Sequence, residues 1–344
     1  MRVFLLGYPA GLGGAGTECW HTVKMLRANG VEVHLIPTWG KDDNWKAKLA
    51  AIGCETHHIT REGIEDFGPL RGSIVIGMCN SNVYRIWPKL KRMGVKLVWL
   101  NCMSFLFPAE KANFFAHGMP AAFIYQSEFQ RAELERSMIG SSYRPEIGHL
   151  IRGAFDLTEF PFDYQARTAA DPFVVGRLSR PSLDKWPKDL WDIYAAIDHP
   201  NRQALVMGVN DQTRSKIGPS PTWGRALEPQ MLSVPEYLRR IHCMVTTNGS
   251  ARENWPRVGL EAMASGVPLV VPNQWGWKEM VRHGETGFLA NDNGELSSYA
   301  TMLANDEDLR YRMAVAGRAW VEELANPNTI WAGWERILTE LNQG

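Results

Sequence analysis

Two glutamates, Glu253 and Glu261, stand with seven residues between them in the stretch ARENWPRVGLEAMASGVPLVVPNQWGWKEMVRHGETGFLA, which runs from Ala251 to Ala290. Ionised carboxylates only accept hydrogen bonds, which suits them to the hydroxyls of a sugar or a ribose. Between the two acids a loop turns into the apolar helical run VGLEAMASG, which Gly266 ends, and VPLVVPN follows as a buried strand. Glu253 therefore belongs to a loop above a strand end, and Glu261 to the first turns of the next helix. In open α/β sheets that edge is where ligands bind. The amides around Pro256, Arg257 and Val258 then face an anion at a helix N-terminus, where the dipole adds ~0.3–1 kcal/mol. Taken alone, such a pair reads better as a loop acid and a helix-surface acid.

A second stretch with chemical potential opens the chain, FLLGYPAGLGGAGTECW, in which Gly11, Gly13 and Gly16 spell G-x-G-x-x-G. A dinucleotide site needs its first glycine directly at the end of strand one and an acid at the end of strand two. Tyr8, Pro9 and Ala10 separate the strand from Gly11, and the first acid after VEVHLI is Asp42, well past the strand end. Both requirements are missed. An anion-compatible loop survives: Gly13, Gly14 and Gly16 let backbone amides approach closely, and the following helix points its positive end there.

The elements that must carry these stretches are legible as alternation. RVFLLG, VEVHLI, SIVIGM, VKLVWL and AAFIYQ are short apolar runs separated by amphipathic segments, as are PFVVGRL, ALVMGV, HCMVTTNG and VPLVVPN later on. This predicts β-α units and parallel sheets buried on both faces. The polar, proline-punctuated segment FDLTEFPFDYQARTAADP interrupts the rhythm and reads as a linker. The 344 residues thus form two doubly wound α/β domains, 1–160 and 161–325, with a C-terminal helix over 326–344.

Bulk composition narrows the classes. Lys plus Arg and Asp plus Glu are equal at 37 each, so no charge excess calls for nucleic acid as an obligatory partner. The five cysteines are scattered and never form C-x-x-C, which fits a cytoplasmic protein without disulfides or a zinc knuckle. RVFLLG is too short for a signal-peptide core, and no apolar run reaches the roughly 18 residues of a membrane span. Adjacent strand residues face opposite ways, so His57-His58 is not a metal pair, and Asp306–Asp308 reads as a helix-capping cluster. No metal site is expected.

The stretch 251–290 resembles the E-x7-E region of family 4 retaining glycosyltransferases ("group 1" glycosyltransferases), which have the GT-B fold of two Rossmann-like domains facing a central cleft. The family's glutamate, aromatic, small residue, LEAMASGVPVV, Gly-x-x-Glu and G-x-T-G appear as Glu253, Trp255, Pro256, LEAMASGVPLVV, GWKE and GETGFLA. Upstream, FVVGRLSRPSLDKW is similar to the family strand-loop whose arginine and lysine clamp the donor diphosphate. These map onto Arg177 and, over a longer spacing, Lys185, with Lys188 as a rival. The resemblance makes GLGGAGTE a glycine-rich loop facing donor phosphates and acceptor, and puts Glu18 on the acceptor side. Many members carry a histidine after the fifth strand that contacts the transferred sugar; here the position is Asn101 or Cys102, with His117 farther along. Trp255-Pro256 replaces the commoner Phe-Gly, and proline removes one amide donor.

The resemblance implies a metal-independent transferase that moves a sugar from a nucleoside diphosphate, UDP- or GDP-linked, to an unidentified acceptor with retention. The nucleotide sugar is co-substrate, and no cofactor is needed. Donor binding falls to Arg177, Lys185, Asn254, Trp255, Pro256, Arg257, Val258 and Glu261, with Glu253 as the catalytic residue, holding the hydroxyls of the sugar. The alternatives are a nicotinamide oxidoreductase, supported only by G-x-G-x-x-G, and a non-catalytic nucleotide-sugar-binding protein, motivated by the missing histidine.

Overall fold

The computed structural model describes residues 1–9, 13–168, 170–247 and 249–343. It divides into two compact units, Met1–Phe155 with Ala325–Gly344, and Asp156–Leu324. The boundary expected at 160–161 thus falls at Phe155–Asp156, ahead of the proline-rich part of the linker.

The first unit is built on a seven-stranded sheet in the order β3-β2-β1-β4-β5-β6-β7. Its strands are β1 (Arg2–Leu6), β2 (Glu32–Ile36), β3 (Glu55–Thr56), β4 (Ile74–Met78), β5 (Lys96–Leu100), β6 (Ala122–Tyr125) and β7 (Gly148–Leu150). All neighbours pair in parallel. Central strands such as β4 are buried throughout, which is why IVIGM reads as a continuous apolar run rather than an alternating one. The C-terminal helix Pro327–Gln343 belongs to this unit. Its Ile330, Trp334, Ile337 and Leu338 join Val3, Leu5, Ile76 and Val98 in one core. Gly333 lets it lie close, since a Cβ there would stand 3.0 Å from Ile151.

The second unit has six parallel strands in the order β10-β9-β8-β11-β12-β13. They are β8 (Phe173–Leu178), β9 (Arg202–Met207), β10 (Gly224–Leu227), β11 (Cys243–Val245), β12 (Leu269–Pro272) and β13 (Gly287–Ala290). From β8 the chain winds one way through β9 and β10, then returns to pair β11 against the other side of β8. The carboxyl ends of β8 and β11 therefore flank a topological switch point, and β1 and β4 do so in the first unit. Among the described residues, no helix is long and apolar enough to cross a membrane.

Candidate active site

Arg177 is the next-to-last residue of β8, and its side chain is only 1% exposed. The guanidinium lies 5.1 Å from the centre of the Trp186 ring and donates through Nη2 to the Lys185 carbonyl. Its Nε and Nη1 find no hydrogen-bond partner among the described residues. Burial pulls the Arg177 pKa down while Tyr194, Glu253 and Tyr237 pull it up; a guanidinium stays charged under such shifts. A buried charge with two unmatched donors is costly in isolation. The arrangement is one that an anion would complete.

The loop after β8 returns Lys185 to the same place, where its Nζ stands 2.6 Å from Glu253 Oε1. Three backbone contacts fix that encounter. The amides of Ser250 and Ala251 donate to the Asp184 carbonyl at 2.7 and 2.9 Å, and the Gly276 amide donates to the Glu253 carbonyl at 2.9 Å. Two glycines make the approach possible. A Cβ on Gly249 would stand 2.7 Å from the Asp184 and Trp186 carbonyls, and one on Gly276 would stand 1.6 Å from the Asn254 carbonyl. The glycine of GWKE is thus a backbone crossing that holds the Glu253 loop. Lys188, the rival of Lys185, is exposed.

Pro256 is the N-cap of the helix Arg257–Ala264, so the amide it lacks is the cap's own, and those of Arg257 and Val258 still open the first turn. Asn254, Trp255, Pro256 and Arg257 are buried, and Val258 half-buried. Gly259 seats the first turn on Trp277, where a Cβ would stand 2.7 Å from the indole. Glu261, one turn on, is 7% exposed. Burial pushes its carboxyl up to about 7, the Arg257 guanidinium works against that, and Glu159 adds to it. Near neutral pH Glu261 is poised between proton donor and acceptor towards a hydroxyl.

At the equivalent edge of the first unit, several described polar side chains are engaged within the unit. Gly13 caps the helix Gly14–Ala28 at φ 123, a conformation that favours glycine, and the Gly16 amide turns back to the Gly13 carbonyl at 3.2 Å. Gly11 lies outside the described residues. Asp42, the first acid after β2, caps the helix Asp43–Ala51 by accepting from the Trp45 amide at 3.0 Å. It is a cap rather than a ribose ligand. Glu18 is buried and accepts from Gln126 Nε2; only a glycine fits at 153, because a Cβ there would stand 2.8 Å from the Glu18 carboxyl.

Asn101 and Cys102, at the position of the family histidine, both have partners within the unit. Asn101 Nδ2 donates to Glu110 Oε1 at 3.0 Å and to the Phe105 carbonyl at 3.2 Å, while its Oδ1 accepts from the Met103 amide at 2.6 Å. Both ends of the amide hold the loop together. Cys102 faces Cys79 across neighbouring strand ends, and the hydrogen bond between the two thiols, with burial, pushes the Cys102 thiol well up. His117 ends the helix Pro108–His117 on an exposed turn.

Sequence reading missed Glu110. It is fully buried and accepts from Trp99 Nε1 at 2.7 Å and the Phe107 amide at 3.1 Å as well as from Asn101. Burial pushes its carboxyl up to about 6 against those three donors. The one local signal is its place in the first turn of a helix that starts at Pro108. Asp306, as expected, is a cap, accepting from the Leu309 amide at 2.8 Å.

Comparison with known proteins agrees with this geometry. Residues 226–320 match the family described as "Glycosyl transferases group 1". The capsular polysaccharide biosynthesis glycosyltransferase CapM of Staphylococcus aureus is 29% identical over 176 residues, covering 48% of this chain and 46% of CapM. This chain thus matches less than half the length of that relative. Two solved structures share the whole fold. The Anabaena protein Alr3699/HepE, in complex with UDP-glucose, superposes with a TM-score of 0.75 at 18% identity, covering 100% of both chains. Sucrose-phosphate synthase from Thermosynechococcus elongatus gives 0.72 at 17% identity, covering 99% of this chain and 97% of its own. The fold is that of the GT-B glycosyltransferases, and the segment that carries Glu253, Arg257 and Glu261 lies within the residues that match the group 1 glycosyl transferase model.

Proposed function

We propose that the protein transfers a sugar from a UDP-linked donor to an acceptor hydroxyl with retention of configuration, without a metal ion. Arg177 carries this reading: a buried cation with two unmatched donors, at a switch point, beside the Lys185–Glu253 pair and a helix N-terminus. Uridine is favoured because Alr3699/HepE of the same fold was solved with UDP-glucose.

In this mechanism Arg177 Nε and Nη1, Lys185 and the first-turn amides of Arg257 and Val258 meet the charge that develops on the departing diphosphate. Donors fixed in a water-poor site before reaction need no reorganisation in the transition state. These protein cations take the part a metal plays elsewhere. Glu261 accepts from the ribose hydroxyls, and Glu253 orients both Lys185 and the hydroxyls of the sugar. The acceptor attacks from the face that the diphosphate leaves, and the diphosphate oxygen takes the acceptor proton. No dedicated side-chain base is required.

Thermal shift with UDP, GDP, ADP, TDP and NAD⁺ in EDTA tests the donor. UDP at ~100 times its dissociation constant should add about 2.7 kcal/mol to the folded state. Stabilisation by NAD⁺ alone would restore the dinucleotide reading and overturn this one. Retention is tested by NMR of the first-formed glycoside, whose anomeric configuration should equal the donor's.

A further inference from the structure

Away from the carboxyl edge, the first sheet carries the same short pattern twice. β2 begins Glu32-Val33-His34, and β3 with the residue after it reads Glu55-Thr56-His57. Alternate residues of a strand share a face. The parallel register sets His34 beside Glu55, and the His57 amide continues the ladder by donating to the Leu35 carbonyl at 2.8 Å. Two glutamates and two histidines therefore converge on one face of two neighbouring strands.

We propose that His34, His57 and Glu55 form a site for a divalent transition metal of the zinc class. His34 Nδ1 and His57 Nε2 are 2.8 Å apart, with their ring planes within 3° of parallel. Glu55 places one oxygen 3.6 Å from the His34 nitrogen and the other 3.7 Å from the His57 nitrogen. One ligand atom from each residue lies within 4.8 Å of the others. Metal–nitrogen bonds of about 2.0–2.1 Å need the nitrogens opened by only about 0.5 Å to share an ion. Two imidazoles with one carboxylate select zinc, cobalt or nickel over magnesium or calcium.

The surroundings match such a site. His34 Nε2 is 2.7 Å from Glu32 Oε1, the carboxylate–histidine contact that fixes the tautomer and leaves Nδ1 with its lone pair. Phe4 packs 5.3 Å from the His34 ring, and Phe67 packs 5.0 Å from the His57 ring. Burial pulls the His57 pKa down, which favours the neutral ligand form. The neighbouring cation Arg2 is held by Glu32 at 3.0 Å. Glu55 is 65% exposed and free to close on an ion, with a fourth position open to water. The ion would tie β3, an edge strand of two residues, to β2. Such a site serves the sheet, and is separate from the sugar-transfer chemistry proposed above.

The test is a Co²⁺ titration of the EDTA-treated, dialysed full chain by visible absorbance, followed by Zn²⁺ competition and calorimetry. One ion per chain at micromolar affinity or tighter, with a rise in Tm, is expected. His57→Ala should abolish binding, and Glu55→Gln, at an exposed position that leaves folding intact, should weaken it. Glu32→Gln touches no metal yet should weaken binding about 10–100-fold through His34. The double variant Cys79→Ser/Cys102→Ser should bind as the parent does. No stoichiometric binding at 100 times micromolar metal would leave a plain hydrogen-bonded histidine pair and overturn the proposal. So would binding that is unchanged in Glu55→Gln and Glu32→Gln, or lost in the cysteine variant.

Discussion

The two units present the same sheet edge and use it in opposite ways. At the carboxyl end of β8, donors remain unmatched: Arg177 is buried beside Lys185, with Nε and Nη1 unpartnered among the described residues. At the carboxyl ends of β4, β5 and β6, polar groups answer one another: Glu110 with Asn101 and Trp99, Glu18 with Gln126, Cys79 with Cys102. Both arrangements put polar chemistry in a dry place, where unmatched groups are costly and matched ones rigid. The second unit tolerates the cost, as expected of an edge that a charged ligand completes. Among the described residues, these polar groups of the first unit are matched within the unit.

Five substitutions break or sharpen that contrast. The largest effect is expected at Arg177. Arg177→Met should lower turnover about 10²–10³-fold, roughly 3–4 kcal/mol of transition-state stabilisation, while thermal stability stays level or rises because a buried unmatched charge is gone. A steady-state assay paired with a melting curve reads both; a large fall in Tm with intact turnover would make Arg177 a structural residue.

Glu110→Ala should show the reverse. It strands Trp99 Nε1 and the Phe107 amide and leaves Asn101 Nδ2 only the Phe105 carbonyl, and should cost about 2–3 kcal/mol of unfolding free energy by denaturant titration. UDP affinity per folded molecule should hold. If affinity falls while stability does not, the first unit's edge is a ligand site after all.

Glu261→Gln gives a smaller, pH-dependent effect. The folded-state pKa of Glu261, about 7, is raised above the ordinary carboxyl value. Its protonated form therefore favours folding at low pH, and that contribution is lost as pH rises from about 4.5 through 7. Relative to the parent, Glu261→Gln should gain on the order of 1–3 kcal/mol in stability between pH 5 and pH 8, while its UDP affinity falls. A stability difference that does not change with pH would remove the buried-acid account. Lys188→Ala should do least, within about 0.5 kcal/mol of stability and with unchanged UDP affinity, whereas Lys185→Ala should weaken donor binding. Equal losses would return Lys188 to the site.

Legibility followed sequence distance. The second unit's candidate residues stand out in the sequence because they lie in two contiguous stretches, 173–188 and 251–290, whose spacing is itself the signal. Nine apolar runs marked nine strands, but β3, β7, β10 and β13 went unread. They are edge or near-edge segments of two to four residues, such as GRAL, too short or too polar for periodicity to show. The first unit's pairings were invisible for another reason. Cys79 meets Cys102 and His34 meets His57 only because parallel strands bring them together, and no local pattern encodes a register. His57 meets His34 on the next strand rather than His58, its chain neighbour. The bond from Asn101 to a carboxyl nine residues away is hidden from a local pattern in the same way.

The most direct test of the central claim is calorimetric titration of UDP into the parent protein and into Arg177→Met, both in EDTA. The account predicts that UDP binds the parent without metal, and that the variant, still folded, loses affinity by about 10–100-fold, the worth of charge-assisted hydrogen bonds to phosphate. Equal affinity in the two proteins, or parent binding that appears only when a divalent ion is restored, would contradict it.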